Sequence, residues 1–96
     1  MGSRTPLLLY FKDDMKDWCV YLVQCSDGSY YCGATNNVQN RVATHNSGKG
    51  AKYTRAGRPV VLLVNSKQMS KSDALKLEHR VKKQKREKKI QYVENY

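Results

Sequence analysis

The chain predicts an α/β domain of the α+β kind, a small sheet with helices packed on it in the order β-β-α-β-α. Two short segments, 18–25 and 60–64, are apolar on both alternation faces, as strands buried on both sides are. A Ser-Asp-Gly-Ser turn signal at 26–29 separates the first of them from an aromatic-rich partner. Two further stretches space their apolar residues by three and four positions, the period of a helix. With 96 residues, the chain buries only roughly 60 to 65% of its unfolded surface, enough for one small core and no second domain of comparable size. Large cofactor-binding architectures are excluded on length alone.

The first strand is Trp18-Cys19-Val20-Tyr21-Leu22-Val23-Gln24-Cys25, and Tyr30-Tyr31-Cys32-Gly33 returns beside it. A three-residue loop, Ser26-Asp27-Gly28 with Gly28 in the left-handed region, pairs Cys25 with Ser29 and sets Tyr31 opposite Val23. Tyr21 and Tyr31 then share a face, with Gly33 opposite Tyr21 and its missing side chain leaving room for a ligand at the phenol. A two-residue Asp27-Gly28 loop would put the two phenols on opposite faces. Asn36 and Asn37 can cap a helix whose Val38, Val42 and His45 lie one above another, and Ser47-Gly48 ends it. A Gly-rich basic loop spans 48–59, and Val60-Val61-Leu62-Leu63-Val64 reads as a second buried strand. Ser70 or Ser72 caps a long helix that runs to about Lys89. The segment 1–17 reads as an N-terminal extension, 18–89 as the domain and 90–96 as a C-terminal tail.

The 18 Lys+Arg against 8 Asp+Glu give a net charge of +10, and its distribution says more than its total. Residues 28–72 carry Arg41, Lys49, Lys52, Arg55, Arg58, Lys67 and Lys71 and no acidic residue. A field of one sign at this density points to an anionic partner, nucleic acid first, or to a simply soluble surface. The three cysteines match neither zinc-ligand pairs nor a redox CxxC, and read as small buried residues of a reducing compartment. The run Leu7-Leu8-Leu9-Tyr10-Phe11 is too short to span a membrane, and Lys12-Asp13-Asp14 follows it in place of a cleavage site. An intracellular location is expected, cytoplasm or nucleus. Gly48-Lys49-Gly50 is not a Walker loop.

Three sets of functional groups sit within the core pattern. On the long helix, Ala74, Leu77 and Val81 make an apolar stripe that Glu78 interrupts, so a carboxylate faces the core. Burying it unpaired costs several kcal/mol, so Glu78 must be paired with a Lys or Arg, protonated, or bound to a cation. On the first helix Arg41 and His45, four apart, leave one edge of one face. A five-donor guanidinium beside an imidazole suits a phosphate, although an exposed Arg next to a structural His would show the same spacing. The third set is Tyr21 and Tyr31, either ligand-facing phenols or two core tyrosines.

Taken together these residues resemble the GIY-YIG nucleases. Cys19-Val20-Tyr21 stands where the family's GIY is and Tyr31-Cys32-Gly33 where YIG is, followed in order by Arg41, His45 and the helix-borne Glu78. The Ser-Gly-Lys-Gly-Ala-Lys-Tyr-Thr-Arg segment at 47–55 is similar to that of the small stand-alone members. The resemblance covers 18 to about 89. It implies a three-stranded antiparallel sheet and metal-dependent phosphodiester cleavage. In that scheme Tyr21 is the general base and Tyr31 a supporting phenol. Arg41 stabilises charge on the phosphate, His45 assists proton transfer or holds the phosphate, and Glu78 binds Mg²⁺ or Mn²⁺. A phenol with an ordinary pKa of about 10 needs nearby cations to act as a base at neutral pH. One carboxylate suffices for Mg²⁺, which keeps several waters and takes substrate phosphate as a ligand.

The expected activity is therefore a divalent-metal-dependent endonuclease acting on DNA in preference to RNA, with single-stranded or branched forms among the candidate substrates. The alternative is a basic nucleic-acid-binding module that keeps the fold and cleaves little or nothing. Lys49, Lys52, Arg55, Arg58, Lys82, Lys83 and Arg86 are the expected phosphate contacts, and Tyr53 either stacks on a base or packs on the sheet. Gly33, Gly48 and Gly50 are the expected points of close backbone approach.

Overall fold

The computed structural model describes residues 16–96, with the side chains of Lys52 and Tyr53 left out. The readings of 1–15, and of what the Lys52 and Tyr53 side chains contact, lie outside the described residues. The elements run β1 (Cys19–Gln24), β2 (Tyr30–Thr35), α1 (Val38–Asn46), α2 (Lys52–Ala56), β3 (Val61–Asn65), α3 (Lys71–Lys82) and α4 (Arg86–Glu94). The strands form one antiparallel sheet in the order β2-β1-β3.

The hairpin takes the three-residue loop. Gly28 has φ +89°, and the Cys25 N–H donates to the Ser29 carbonyl at 2.7 Å. Asp27 fixes the corner by accepting from the Ser29 N–H at 2.9 Å and its hydroxyl at 2.6 Å. Val23 consequently faces Tyr31 and Tyr21 faces Gly33.

Because β1 is central, its alternate residues feed two cores. Val20 and Leu22 pack with Cys32, Ala74, Leu77, Val81 and Val93 on the face covered by α3 and α4. Tyr21, Val23 and Cys25 pack with Val60, Tyr31, Val38 and Val42 on the α1 face. The β1 residues 19–23 are all buried, as its apolar character on both faces requires. Cys19, Cys25 and Cys32 are buried free thiols; burial raises the Cys19 pKa and pushes that of Cys32 up to about 12.

Three expectations change. First, β3 is an edge strand and not a doubly buried one: Val61 is 60% and Leu62 37% exposed, since β3 pairs only with β1 and a register shift falls at Leu22/Val23. Second, the basic loop contains the five-residue helix α2. Third, the long helix is two helices. Lys85, with ψ 149°, leaves helical geometry and starts α4.

No Pro or Gly breaks the long helix, and the reason is geometric. A single helix over 71–94 would be about 36 Å long, against roughly 20 Å for a six-residue strand. It would also place Ile90 about half a turn away from the Ala74-Leu77-Val81 stripe. The break brings Val93 to full burial and packs Ile90 and Tyr92 on the same core.

Residues 90–96, read from sequence as a tail, are thus core-forming. The Lys67 N–H also donates to the Tyr96 carbonyl at 2.7 Å. Deleting residues 90–96 should lower the unfolding free energy by at least about 2 to 4 kcal/mol, the worth of the buried valine and one hydrogen bond before the packing of Ile90 and Tyr92 is counted. Urea denaturation checks this, and an unmoved midpoint would restore the tail reading.

Candidate active site

Asn37 accepts from the Asn40 N–H at 3.0 Å and so caps α1. With its start fixed, the helix points Val38 and Val42 at the sheet and sends His45, fully buried, down onto the phenols. Tyr21, 1% exposed, places its hydroxyl 2.8 Å from His45 Nε2. His45 Nδ1 lies 2.7 Å from Thr54 Oγ1, and the Thr54 hydroxyl donates to the Ala51 carbonyl at 2.9 Å. The ring of Tyr31 meets His45 edge-on, with centroids 5.2 Å apart. Arg41, half-buried one turn before His45, lies close enough to the Tyr21 phenol to pull against the rise that burial gives its pKa.

Two glycines make this packing possible. A Cβ on Gly33 would collide with the Tyr21 hydroxyl and sit 2.6 Å from its Cζ. A Cβ on Gly50 would collide with His45 Nδ1 and sit 2.8 Å from the His45 Cα. The room expected at Gly33 for a ligand is therefore filled by Tyr21 itself, and Gly50 is used for internal packing. At Gly48, with φ +87°, the space is taken by the Arg58 guanidinium, 2.7 Å from the Cβ position.

Glu78 is half-buried at the margin of α3, not sunk in the core, and its Oε2 pairs with Lys82 Nζ at 2.8 Å. Of the alternatives left open for Glu78, pairing with a lysine is the one realised: its charge is balanced one turn away, by a residue expected to hold nucleic acid. Glu78 lies near enough to bear on the Tyr21 and Cys32 acidities, while Tyr21 and Tyr31 are in direct contact with His45. Among the described residues no cluster of three or more His, Cys, Asp or Glu side chains is grouped for a metal. A lone carboxylate fits a hard cation that completes its shell with water and phosphate oxygen, and does not fit zinc.

Of the expected phosphate contacts, Lys49, Arg55, Arg58, Lys82, Lys83 and Arg86 are exposed. Arg58 donates from Nε to the Arg55 carbonyl at 2.9 Å, and Arg86 lies over the Tyr30 ring at 3.9 Å. Sequence reasoning missed Thr54 and which lysine pairs with Glu78. The second was legible as an i, i+4 Glu-Lys spacing; the first left no periodic signal.

Burial pushes the Tyr21 phenol up to about 12, against the opposing pull of Arg41. The same burial, with Arg41 beside it, lowers the His45 pKa from the ordinary 6.5. At neutral pH the pair is a protonated phenol on a neutral imidazole.

A family match gives the class, a catalytic domain of nuclease type. The chain belongs to the GIY-YIG family, whose catalytic-domain model matches residues 17–91. It is 49% identical over 75 residues to the UPF0213 protein SH2523 of Staphylococcus haemolyticus, covering 78% of this chain and 92% of that one. It is 54% identical over 63 residues to the UPF0213 protein VNG_2274C of Halobacterium salinarum, covering 66% and 82%. The solution structure of the protein EF2693 from E. faecalis matches it with a TM-score of 0.53 at 42% identity, over 78% of this chain and 80% of that one. GIY-YIG nucleases act on nucleic acid. No helix among the described residues is long and apolar enough to cross a membrane.

The two pKa shifts set a pH window for stability. His45, lowered when folded, contributes stability that is complete above its ordinary 6.5 and lost as pH falls below it. Tyr21, raised when folded, contributes stability that is complete below its ordinary 10 and lost as pH rises toward 12. Melting temperatures should therefore fall on both sides, with Tyr21→Phe removing part of the alkaline decline; an alkaline limb identical in both proteins would refute the Tyr21 shift. Gly33→Ala should destabilise by about 1 to 3 kcal/mol through overpacking against Tyr21, read from denaturant midpoints.

Proposed function

We propose that this domain is a divalent-metal-dependent endonuclease that hydrolyses phosphodiester bonds in DNA. The observation that carries the reading is the buried 2.8 Å contact of Tyr21 with His45 Nε2, with Arg41 close to the same phenol. A phenol pushed to about 12 is inert alone, but one joined to an imidazole can pass its proton on as it takes one from water.

In this mechanism the attacking water loses a proton to the Tyr21 oxygen while the Tyr21 proton moves to His45 Nε2. The water oxygen bonds to phosphorus, the bond from phosphorus to the leaving sugar oxygen breaks, and that oxygen takes a proton from bulk water. Arg41 donates to the phosphate oxygens as their charge grows. Tyr31, edge-on to His45, keeps the imidazole plane aligned with Tyr21. Glu78 would hold Mg²⁺ or Mn²⁺, which when bound supplies charge stabilisation at the phosphate. Lys49, Arg55, Arg58, Lys83 and Arg86 supply sequence-independent attraction to the backbone, with the strong salt dependence that goes with it. The free buried thiols agree with a reducing, intracellular setting.

The ion pair between Glu78 and Lys82 favours one alternative, a nucleic-acid-binding module in which the carboxylate is committed to lysine and cleavage is slight. Single-stranded, duplex and branched DNA and RNA, incubated with Mg²⁺ or Mn²⁺, separate the two. Cleavage of DNA should fall at least about a hundredfold in Tyr21→Phe and Arg41→Ala. Cleavage that survives Glu78→Ala would remove the metal role from Glu78, and tight, salt-sensitive binding without cleavage would establish the alternative. Lys82→Met should tighten Mn²⁺ binding, followed by EPR titration of the free protein, by a factor of about two to five, the worth of an exposed ion pair. Unchanged affinity would mean that Lys82 and the metal do not compete for Glu78.

A further inference from the structure

Thr54 is fully buried on the five-residue helix α2, in a segment where Lys49, Arg55 and Arg58 are exposed. Its hydroxyl lies 2.7 Å from His45 Nδ1 and 2.9 Å from the Ala51 carbonyl oxygen. The direction of these hydrogen bonds follows from donors and acceptors. The Tyr21 hydroxyl proton is buried and needs an acceptor. Arg41 has only donors, so it can serve the phenol oxygen but cannot take its proton. His45 Nε2, 2.8 Å away, can.

A neutral imidazole accepting through Nε2 carries its single proton on Nδ1. The Nδ1–H then donates to Thr54 Oγ1, whose own proton goes to Ala51, a carbonyl that can only accept. Every donor in this chain has an acceptor, consistent with the absence of unsatisfied buried side-chain atoms among the described residues. Run the other way, Nδ1 would need the Thr54 proton, and the hydrogen bond from the Thr54 hydroxyl to the Ala51 carbonyl would be lost.

We propose that Thr54 is a positioning residue: by accepting from His45 Nδ1 it holds the imidazole in the Nδ1–H tautomer and so makes Nε2 the acceptor of the Tyr21 proton. The assignment rests on the reading of Tyr21 as the base. When the Tyr21 proton reaches Nε2, the imidazolium bears protons on both nitrogens, and its Nδ1–H bond to Thr54 becomes charge-assisted. Release of the Nε2 proton to bulk water restores the starting tautomer. The helix α2 thereby has a purpose that charge alone does not supply, and Gly50 lets the backbone ahead of it lie against the His45 ring.

The test uses metal-free protein with ¹⁵N-labelled histidine near neutral pH. Long-range ¹H–¹⁵N spectra should show His45 protonated on Nδ1 and bare on Nε2. Thr54→Val, of equal volume without the hydroxyl, should move His45 toward the Nε2–H form, and Thr54→Ser should restore the original signature. In the cleavage assay Thr54→Val should lower kcat about tenfold to a hundredfold with KM unmoved, and Thr54→Ser should recover most of it. A wild-type proton on Nε2, a Thr54→Val protein that keeps the Nδ1–H tautomer, or one with undiminished kcat overturns the assignment. Spectra as expected beside a wild type that cleaves no nucleic acid would overturn the nuclease reading alone and leave the tautomer role of Thr54 standing.

Discussion

The 2.8 Å hydrogen bond between Tyr21 and His45 joins the central strand to the first helix, and much of the domain is arranged so that it can form. Both partners are almost fully buried, which makes each polar atom costly to leave unmet. The phenol ring needs the space above Gly33, which exists only because the three-residue hairpin loop puts Gly33 opposite Tyr21. The imidazole needs the space beside Gly50. Two positions without a Cβ, one on a strand and one in a loop, are thus consequences of a single contact.

Burying that pair neutral has an electrostatic logic. The protein surface is strongly basic, and a charged imidazolium beneath it would add repulsion to desolvation. Holding His45 uncharged and Tyr21 protonated removes both penalties in the resting state. Glu78 is treated differently. It stays at the margin, partly hydrated, where Lys82 balances it at small cost. A carboxylate held by an exposed ion pair can be released far more readily than one locked in a core salt bridge.

Much of this was readable in advance. Asp27-Gly28, the alternation along β1 and the Asn37 cap are local signals, and they were enough to put Tyr21 and Tyr31 on one face of the hairpin and Arg41 and His45 on one face of the first helix. Glu78 was found because it interrupts an apolar stripe. Its Lys82 partner is equally local, four residues on, but a spacing does not say whether the pair forms or the carboxylate faces inward. Thr54 is a different case. Its contact joins a loop residue to a helix residue nine positions earlier, and no period links them.

The sequence by itself determined the elements whose stability is local: the hairpin, with its register resting on the loop length, the capped first helix, and the apolar stripe of α3. Only the tertiary structure decided where the chain turns without a breaker residue and which strand lies at the edge. The stop before Arg86 has no Pro or Gly to announce it. It arises because a straight helix would overshoot the sheet and strand Val93, whereas folding back buries it completely. Likewise, Val60 to Val64 are equally apolar in sequence, and it is strand order, β2-β1-β3, that leaves Val61 and Leu62 exposed. The tautomer of His45 belongs to this second group. It depends on which hydroxyl the folded chain brings to Nδ1, a fact carried by packing in three dimensions and by no motif.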